Sequence, residues 1–102
     1  MKIILHAKNF EITPSLQKFV DQKIASLAKF FKEEPTFLEA RVEVGRPSLH
    51  HKKGLVFYAE INVKFGKNLL RSTVEDFDVR TALDKARDKM ETQIIKIKSR
   101  YQ

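Results

Sequence analysis

The chain has 102 residues, 20 of them Lys or Arg against 13 Asp or Glu, for a formal charge of +7 on a chain that is 42% hydrophobic. That describes one small, basic, globular domain over residues 1–102, able to bury roughly 65% of its unfolded surface. Zero cysteines exclude disulfides, thiolate metal sites and thiol catalysis. The opening MKIILHAKNF has one short apolar run broken by His6 and Lys8, and no run approaches the roughly 18 apolar residues of a membrane span. A cytoplasmic protein with no membrane partner is expected.

Residues 2 to 8 alternate, Ile3, Leu5 and Ala7 against Lys2, His6 and Lys8, as a half-buried strand does. Thr13 is a good N-cap with Pro14 at the first helical position. Leu16, Phe19, Val20, Ile24, Leu27, Phe30 and Phe31 then follow helical spacing, predicting a helix over 14–32 that Pro35 prevents from continuing. Leu38, Ala40, Val42 and Val44 alternate with polar residues, as do Phe57, Ala59, Ile61, Val63 and Phe65. Gly66, Lys67 and Asn68 turn the chain into a fourth strand, 69–75, and Asp76 or Asp78 caps a final helix over 77–102. The order β-α-β-β-β-α with one-sided strands predicts an α+β two-layer sandwich, a four-stranded sheet carrying both helices on one face.

The positive charge is not evenly spread. The first helix, the loop 45–54 and the last helix each carry +3. Projection of the last helix places Val79, Ala82, Leu83, Ala86, Met90, Ile94 and Ile97 on the core side. One flank then holds Lys85, Lys89, Lys96 and Arg100 with almost no acid. The other mixes Arg80, Arg87 and Lys98 with Asp84 and Glu91. Three coincident basic elements point to phosphate contacts, with the first flank the better phosphate tracker. Lys23 falls inside the apolar stripe between Phe19 and Leu27, a place where its stem can cover Phe19 and its ammonium reach water or phosphate.

The segment Gly45-Arg46-Pro47-Ser48-Leu49-His50-His51-Lys52-Lys53-Gly54 is far longer than a hairpin connection needs. Its glycines allow turning, Arg46, Lys52 and Lys53 offer phosphate donors, and Ser48, His50 and His51 offer hydrogen bonds to sugar or base edges. Adjacent histidines on an extended segment point apart and have no cysteine or carboxylate beside them in the loop, so neither a metal site nor catalysis is expected. Nucleophile, zinc-protease and phosphate-loop motifs are absent. The sheet lacks an RNP-type aromatic pattern, Tyr58 being its one evident wetted aromatic.

The same loop, followed by Val56-Phe57-Tyr58-Ala59-Glu60, resembles the most characteristic stretch of the ribosome hibernation promoting factors, also called ribosome-associated translation inhibitors. The resemblance runs through Asn9-Phe10-Glu11-Ile12-Thr13, Lys23, Leu27, Asp84 and Asp88-Lys89-Met90. It implies a fold similar to double-stranded-RNA-binding domains and a non-enzymatic inhibitor, without cofactor, in the mRNA/tRNA channel of the small subunit near the decoding centre. It also implies a link to stress response and stationary phase. The implied partners are the 30S subunit and the 70S ribosome through 16S rRNA, with a separate ribosome modulation factor where dimers of ribosomes form; the free protein is expected to be a monomer. Lys23, Lys29, Arg46, His50, His51, Lys52, Lys53, Lys89 and Lys96 match basic or polar family positions, whereas Leu49, Thr92 and Ile95 depart from them. Arg80, Lys85 and Arg87 add charge where the family is commonly neutral. The RNA-binding set expected on both grounds is Lys23, Lys29, Arg46, Ser48, His50, His51, Lys52, Lys53, Lys85, Arg87, Lys89, Lys96 and Arg100. Ending at Gln102, the chain resembles the short form. The competing readings are a general double-stranded-RNA-binding module, a basic protein-interaction adaptor and, least, a nuclease.

Overall fold

The computed structural model describes residues 2–31, 39–47 and 56–100. Strand β1 (Lys2–Lys8) leads into helix α1 (Pro14–Ala25), which tightens into a 3-10 helix over Ser26–Phe31; strands β2 (Glu39–Gly45), β3 (Phe57–Phe65) and β4 (Asn68–Asp76) precede helix α2 (Val79–Arg100). The sheet order is β1-β2-β3-β4. β1 and β2 pair in parallel, the crossover being made through α1, and the other pairs are antiparallel. The expected α+β arrangement is the one observed.

Alternation has a direct outcome in the register. Leu5, Val42, Ile61 and Ser72 form one row across the sheet, and Ala7, Val44, Ala59 and Val74 the next. Onto these rows pack Leu16, Val20, Ile24, Leu27 and Phe31 from the first helical segment and Ala82, Leu83, Ala86, Met90 and Ile94 from α2. Ser72 is the one buried polar residue of this face among those described, and its hydroxyl donates to the Ala86 carbonyl at 2.8 Å, which satisfies the buried donor.

Local chemistry sets the ends of the elements. Thr13 caps α1, its Oγ1 accepting from the Leu16 amide at 3.1 Å, with Pro14 at N1. The predicted single helix over 14–32 changes type at Ser26, whose hydroxyl donates to the Lys23 carbonyl at 2.5 Å and competes with the α-helical ladder there. α2 starts at Val79 rather than 77 because Asp78 is the cap, its carboxylate accepting from the Thr81 amide at 3.1 Å. Asp76 instead accepts from the Asp78 amide and from Lys85. Gly66 turns β3 into β4 at φ +58°, a conformation that favours glycine.

Gly45 is required for a reason other than turning. A Cβ there would lie 2.1 Å from the Lys8 carbonyl oxygen, because the ends of β1 and β2 meet at this point. The Arg46 amide donates to that same carbonyl at 3.1 Å, and Asn9, in the left-handed region at φ 54°, donates from Nδ2 to the Arg46 carbonyl at 3.3 Å. The Arg46 guanidinium lies 5.2 Å from the Phe57 ring centroid, and Phe57 meets Phe10 edge-on at 5.6 Å. The end of β1 therefore fixes where the chain enters the long β2–β3 connection. Gly54 and residues 48–53 lie outside the described residues.

Ile61, 0% exposed in the middle row, should lose about 2 to 5 kcal/mol of stability on Ile61→Ala, read from urea unfolding midpoints. Gly45→Ala forces two backbones apart and should cost about 1 to 3 kcal/mol, with faster hydrogen exchange at the Arg46 amide. Hydrogen bonding from Thr81 holds the Asp78 carboxyl below its usual value, and that from Lys85 does so for Asp76. Their contribution is present above the unfolded carboxylate range, about pH 4, and is lost as pH falls through the lower folded values. The destabilisation caused by Asp78→Ala should thus be measurable near neutral pH and shrink on acidification to about pH 2.5.

Candidate nucleic-acid interface

Helix α2 lies on the sheet with its two flanks in different surroundings. On the flank facing α1, Arg80 donates to Ser15 Oγ at 3.1 Å with its guanidinium 5.0 Å from the Phe19 ring centroid. Asp84 pairs with Lys23 at 3.0 Å, and the Lys23 ammonium also lies 5.5 Å from that ring. Arg87 donates from Nε to Ser26 Oγ at 2.9 Å and reaches Asp88 and Glu91, both at 3.3 Å. Lys98 donates to the Phe30 carbonyl. Residue numbers of the partners rise together on both segments, so the helices run parallel and this flank cross-links them. Arg87, only 13% exposed along its side chain, is turned inward.

The other flank follows the outer edge of the sheet. Gln93 donates from Nε2 to the Arg71 carbonyl of β4 at 2.6 Å, and Lys85 pairs with Asp76 at 2.8 Å. Lys89, Lys96 and Arg100 are exposed and form no ion pair with a described residue. From Lys89 to Arg100 the ridge runs about 16 Å, three helical turns. Such a row of solvated cations is what a phosphate backbone neutralises, releasing its counterions.

Of the expected RNA-binding residues, the structure therefore brings Lys85, Lys89, Lys96 and Arg100 together on one ridge. It places Lys23 and Arg87 in the seam between helices. Lys29 is exposed beyond that seam, its ammonium 5.1 Å from the Phe30 ring centroid. Arg46 stands at the end of the sheet beside the start of β3, and Ser48, His50, His51, Lys52 and Lys53 lie outside the described residues.

The open sheet face differs from expectation at Tyr58. It is 9% exposed rather than wetted, and its hydroxyl donates to Glu43 Oε2 at 2.6 Å. Burial first, and then the Glu43 carboxylate, push the phenol above its usual value. Glu43 and Glu60 stand opposite one another in register, a like-charge pair. Tyr58 serves the first, and Asn62 and Arg71 donate to the second at 3.0 and 2.9 Å; hydrogen bonding, led by Asn62, holds Glu60 below its usual value. Arg41 pairs with Glu39 on the same face at 3.0 Å. The carboxylates Glu39, Glu43 and Glu60 of this face are thus answered by partners on it, while Lys2, Lys8 and Lys64 stand exposed at its two ends without an ion pair to a described residue, scattered rather than gathered in a row as on the ridge. Two features escaped sequence reading: Gln93, which has no signature before its partner is placed, and the 78% exposure of Phe77. Among the described residues no group of His, Asp and Glu is arranged to hold a metal ion, and no helix is long and apolar enough to cross a membrane.

Comparison with known proteins agrees with this architecture. The chain is 31% identical over 100 residues to a ribosome hibernation promotion factor of Bacillus subtilis, covering 98% of this chain and 50% of that protein. It is 28% identical over 98 residues to one from Deinococcus radiodurans, covering 95% of this chain and 49% of that protein. The chain thus spans about half the length of the curated relatives it matches. Among solved structures, the N-terminal domain of Thermus thermophilus Protein Y superposes with a TM-score of 0.78 at 32% identity, covering 95% of this chain and 99% of that one. A ribosomal subunit interface protein from Coxiella burnetii shares the fold with a TM-score of 0.74 at 20% identity, covering 97% of this chain and 99% of that one. Residues 3–102 match the family model described as Sigma 54 modulation protein / S30EA ribosomal protein, and with essentially the whole described fold inside that match, the chain belongs to this family.

Proposed function

We propose that residues 1–102 act as one ribosome-binding domain that occupies the mRNA/tRNA channel of the small subunit near the decoding centre and holds ribosomes inactive. The observation that carries this reading is the division of labour on α2: one flank is occupied in fastening α1, while Lys89, Lys96 and Arg100 remain as a cationic ridge, without a described carboxylate partner, on a rigid element. Structured RNA is read through phosphates, 2′-hydroxyls and shape, for which a rigid two-layer domain with a basic ridge is appropriate. The name of the curated relatives, ribosome hibernation promotion factor, supports the same partner.

Inhibition then follows from occupancy. A domain seated in the channel excludes mRNA and tRNA by volume, so the reading needs no covalent step and no cofactor. The partners are the 30S subunit and the 70S ribosome through 16S rRNA, in the cytoplasm, and the free protein is a monomer. Promotion of ribosome dimers with a separate modulation factor belongs to the same proposal. Within it Lys85 is a contact that must first leave Asp76, Lys23 one shared with Asp84, and Arg87 a residue that steadies the helices against each other. Lys29, Arg46, Ser48, His50, His51, Lys52 and Lys53 complete the RNA-binding set.

Co-sedimentation with 30S and 70S particles across a salt series tests the reading. Binding should fall steeply with salt and be competed by tRNA but not by free duplex RNA, which a general double-stranded-RNA module would prefer. Lys89→Glu with Lys96→Glu should weaken binding at every salt concentration and flatten the log–log salt slope by about 1 for each phosphate that is no longer neutralised, with the unfolding midpoint unchanged. Unaltered binding by this pair would remove the ridge from the interface.

A further inference from the structure

The ridge and the loop account for phosphate contacts but leave one exposed aromatic without a role. Phe77 lies in the turn between β4 and α2 and is 78% exposed, more than any other large apolar residue described. It sits at the same end of the sheet as the long β2–β3 connection, since Asp76 pairs in register with Phe57, the first residue of β3 after that connection. The neighbouring ring, Phe57, is already engaged by Phe10 and by the Arg46 guanidinium. Phe77 is flanked by Glu75, Asp76 and Asp78. Two of these carboxylates are committed, Asp76 to Lys85 and Asp78 to the cap of α2.

We infer that Phe77 stacks on an unpaired nucleobase of the RNA that the domain binds, with the exposed Glu75, two residues before it, available to accept from an exocyclic base amine. The inference rests on the proposed function and deepens it. An acid-flanked aromatic repels a phosphate, but it suits a base, whose face is neutral and whose amino groups are donors that carboxylates accept. Stacking on one ring tolerates any base and needs no RNP-type sheet pattern. The sheet's own Tyr58 is unavailable for it, being buried with its hydroxyl on Glu43. The loop end of the molecule thereby contributes a base contact alongside the phosphate contacts of the basic residues.

The chain contains no tryptophan, so Phe77→Trp introduces a unique fluorophore at this position. Titration of purified 30S subunits should quench it, and Phe77→Tyr should bind like the original chain. Phe77→Ala should bind about 5- to 150-fold more weakly, the range expected for one base–aromatic stack. Phe77→Leu should be as weak as Phe77→Ala, because it keeps apolar area without a ring. Thermal melts should be the same for all four variants, the side chain being outside the core. Undiminished binding by Phe77→Ala overturns the inference. So does full binding by Phe77→Leu, which would mark an apolar contact with a protein. If Phe77→Ala binds fully while Lys89→Glu with Lys96→Glu does not, the inference alone fails; absence of 30S binding by the original chain removes the proposed function and the inference together.

Discussion

The seat of α2 on β3 and β4 decides which cations this protein can offer. Ala82 and Ala86 bring the helix backbone close enough for Ser72 to reach the Ala86 carbonyl, and Leu83, Met90 and Ile94 fill the space along the same stripe. Burying each of the three larger side chains is worth roughly 1.5 to 3 kcal/mol, whereas an exposed ion pair such as Lys23–Asp84 contributes about 0 to 1 kcal/mol. The apolar stripe therefore sets the rotation of the helix, and the charges take the positions that rotation leaves. A slip of one residue would turn every side chain by about 100° and carry the ridge away from the sheet edge.

Much of this was legible in the chain because it depends on period alone. Alternation in β1, β2 and β3, three-four spacing in α1 and α2, and Thr13-Pro14 at a helix start are local patterns, and each specifies a face without reference to any partner. Helical projection likewise separated the acid-poor flank of Lys85, Lys89, Lys96 and Arg100 from the mixed one. Interactions between elements were not legible. Asp76 is distant from the flank in any projection of α2, yet it reaches Lys85 because β4 turns directly into the helix. Arg87 reads as a surface cation until Ser26 of the other helical segment is placed beneath it.

Gly45 and Tyr58 show the same limit in two further forms. A glycine at the mouth of a long loop invites a conformational explanation, but its necessity comes from the carbonyl of Lys8, far earlier in the chain. Strand alternation put Tyr58 on the open side correctly. What it does not supply is the neighbourhood there: Gly45 opposite in register, with no side chain, and the Glu43 carboxylate at bonding distance from the hydroxyl. Period predicts the direction of a side chain, and only tertiary arrangement says whether water waits at the end of it.

The two outer surfaces of the domain consequently differ in what RNA would have to displace. On the open sheet face, Glu43 and Glu60 confront each other and are held by Tyr58, Asn62 and Arg71, while Arg41 is taken by Glu39. A phosphate approaching Arg41 or Arg71 there must take it from a carboxylate that then repels the phosphate, and the exposed Lys2, Lys8 and Lys64 are scattered at the ends of the face rather than aligned. On the ridge, Lys89, Lys96 and Arg100 hold no described carboxylate, so a phosphate displaces only water and solution counterions, whose release favours binding. Net charge alone would attract RNA to the whole molecule. Under the proposed function, the distribution of internal ion pairs favours the helical edge, where a phosphate displaces no carboxylate of the protein.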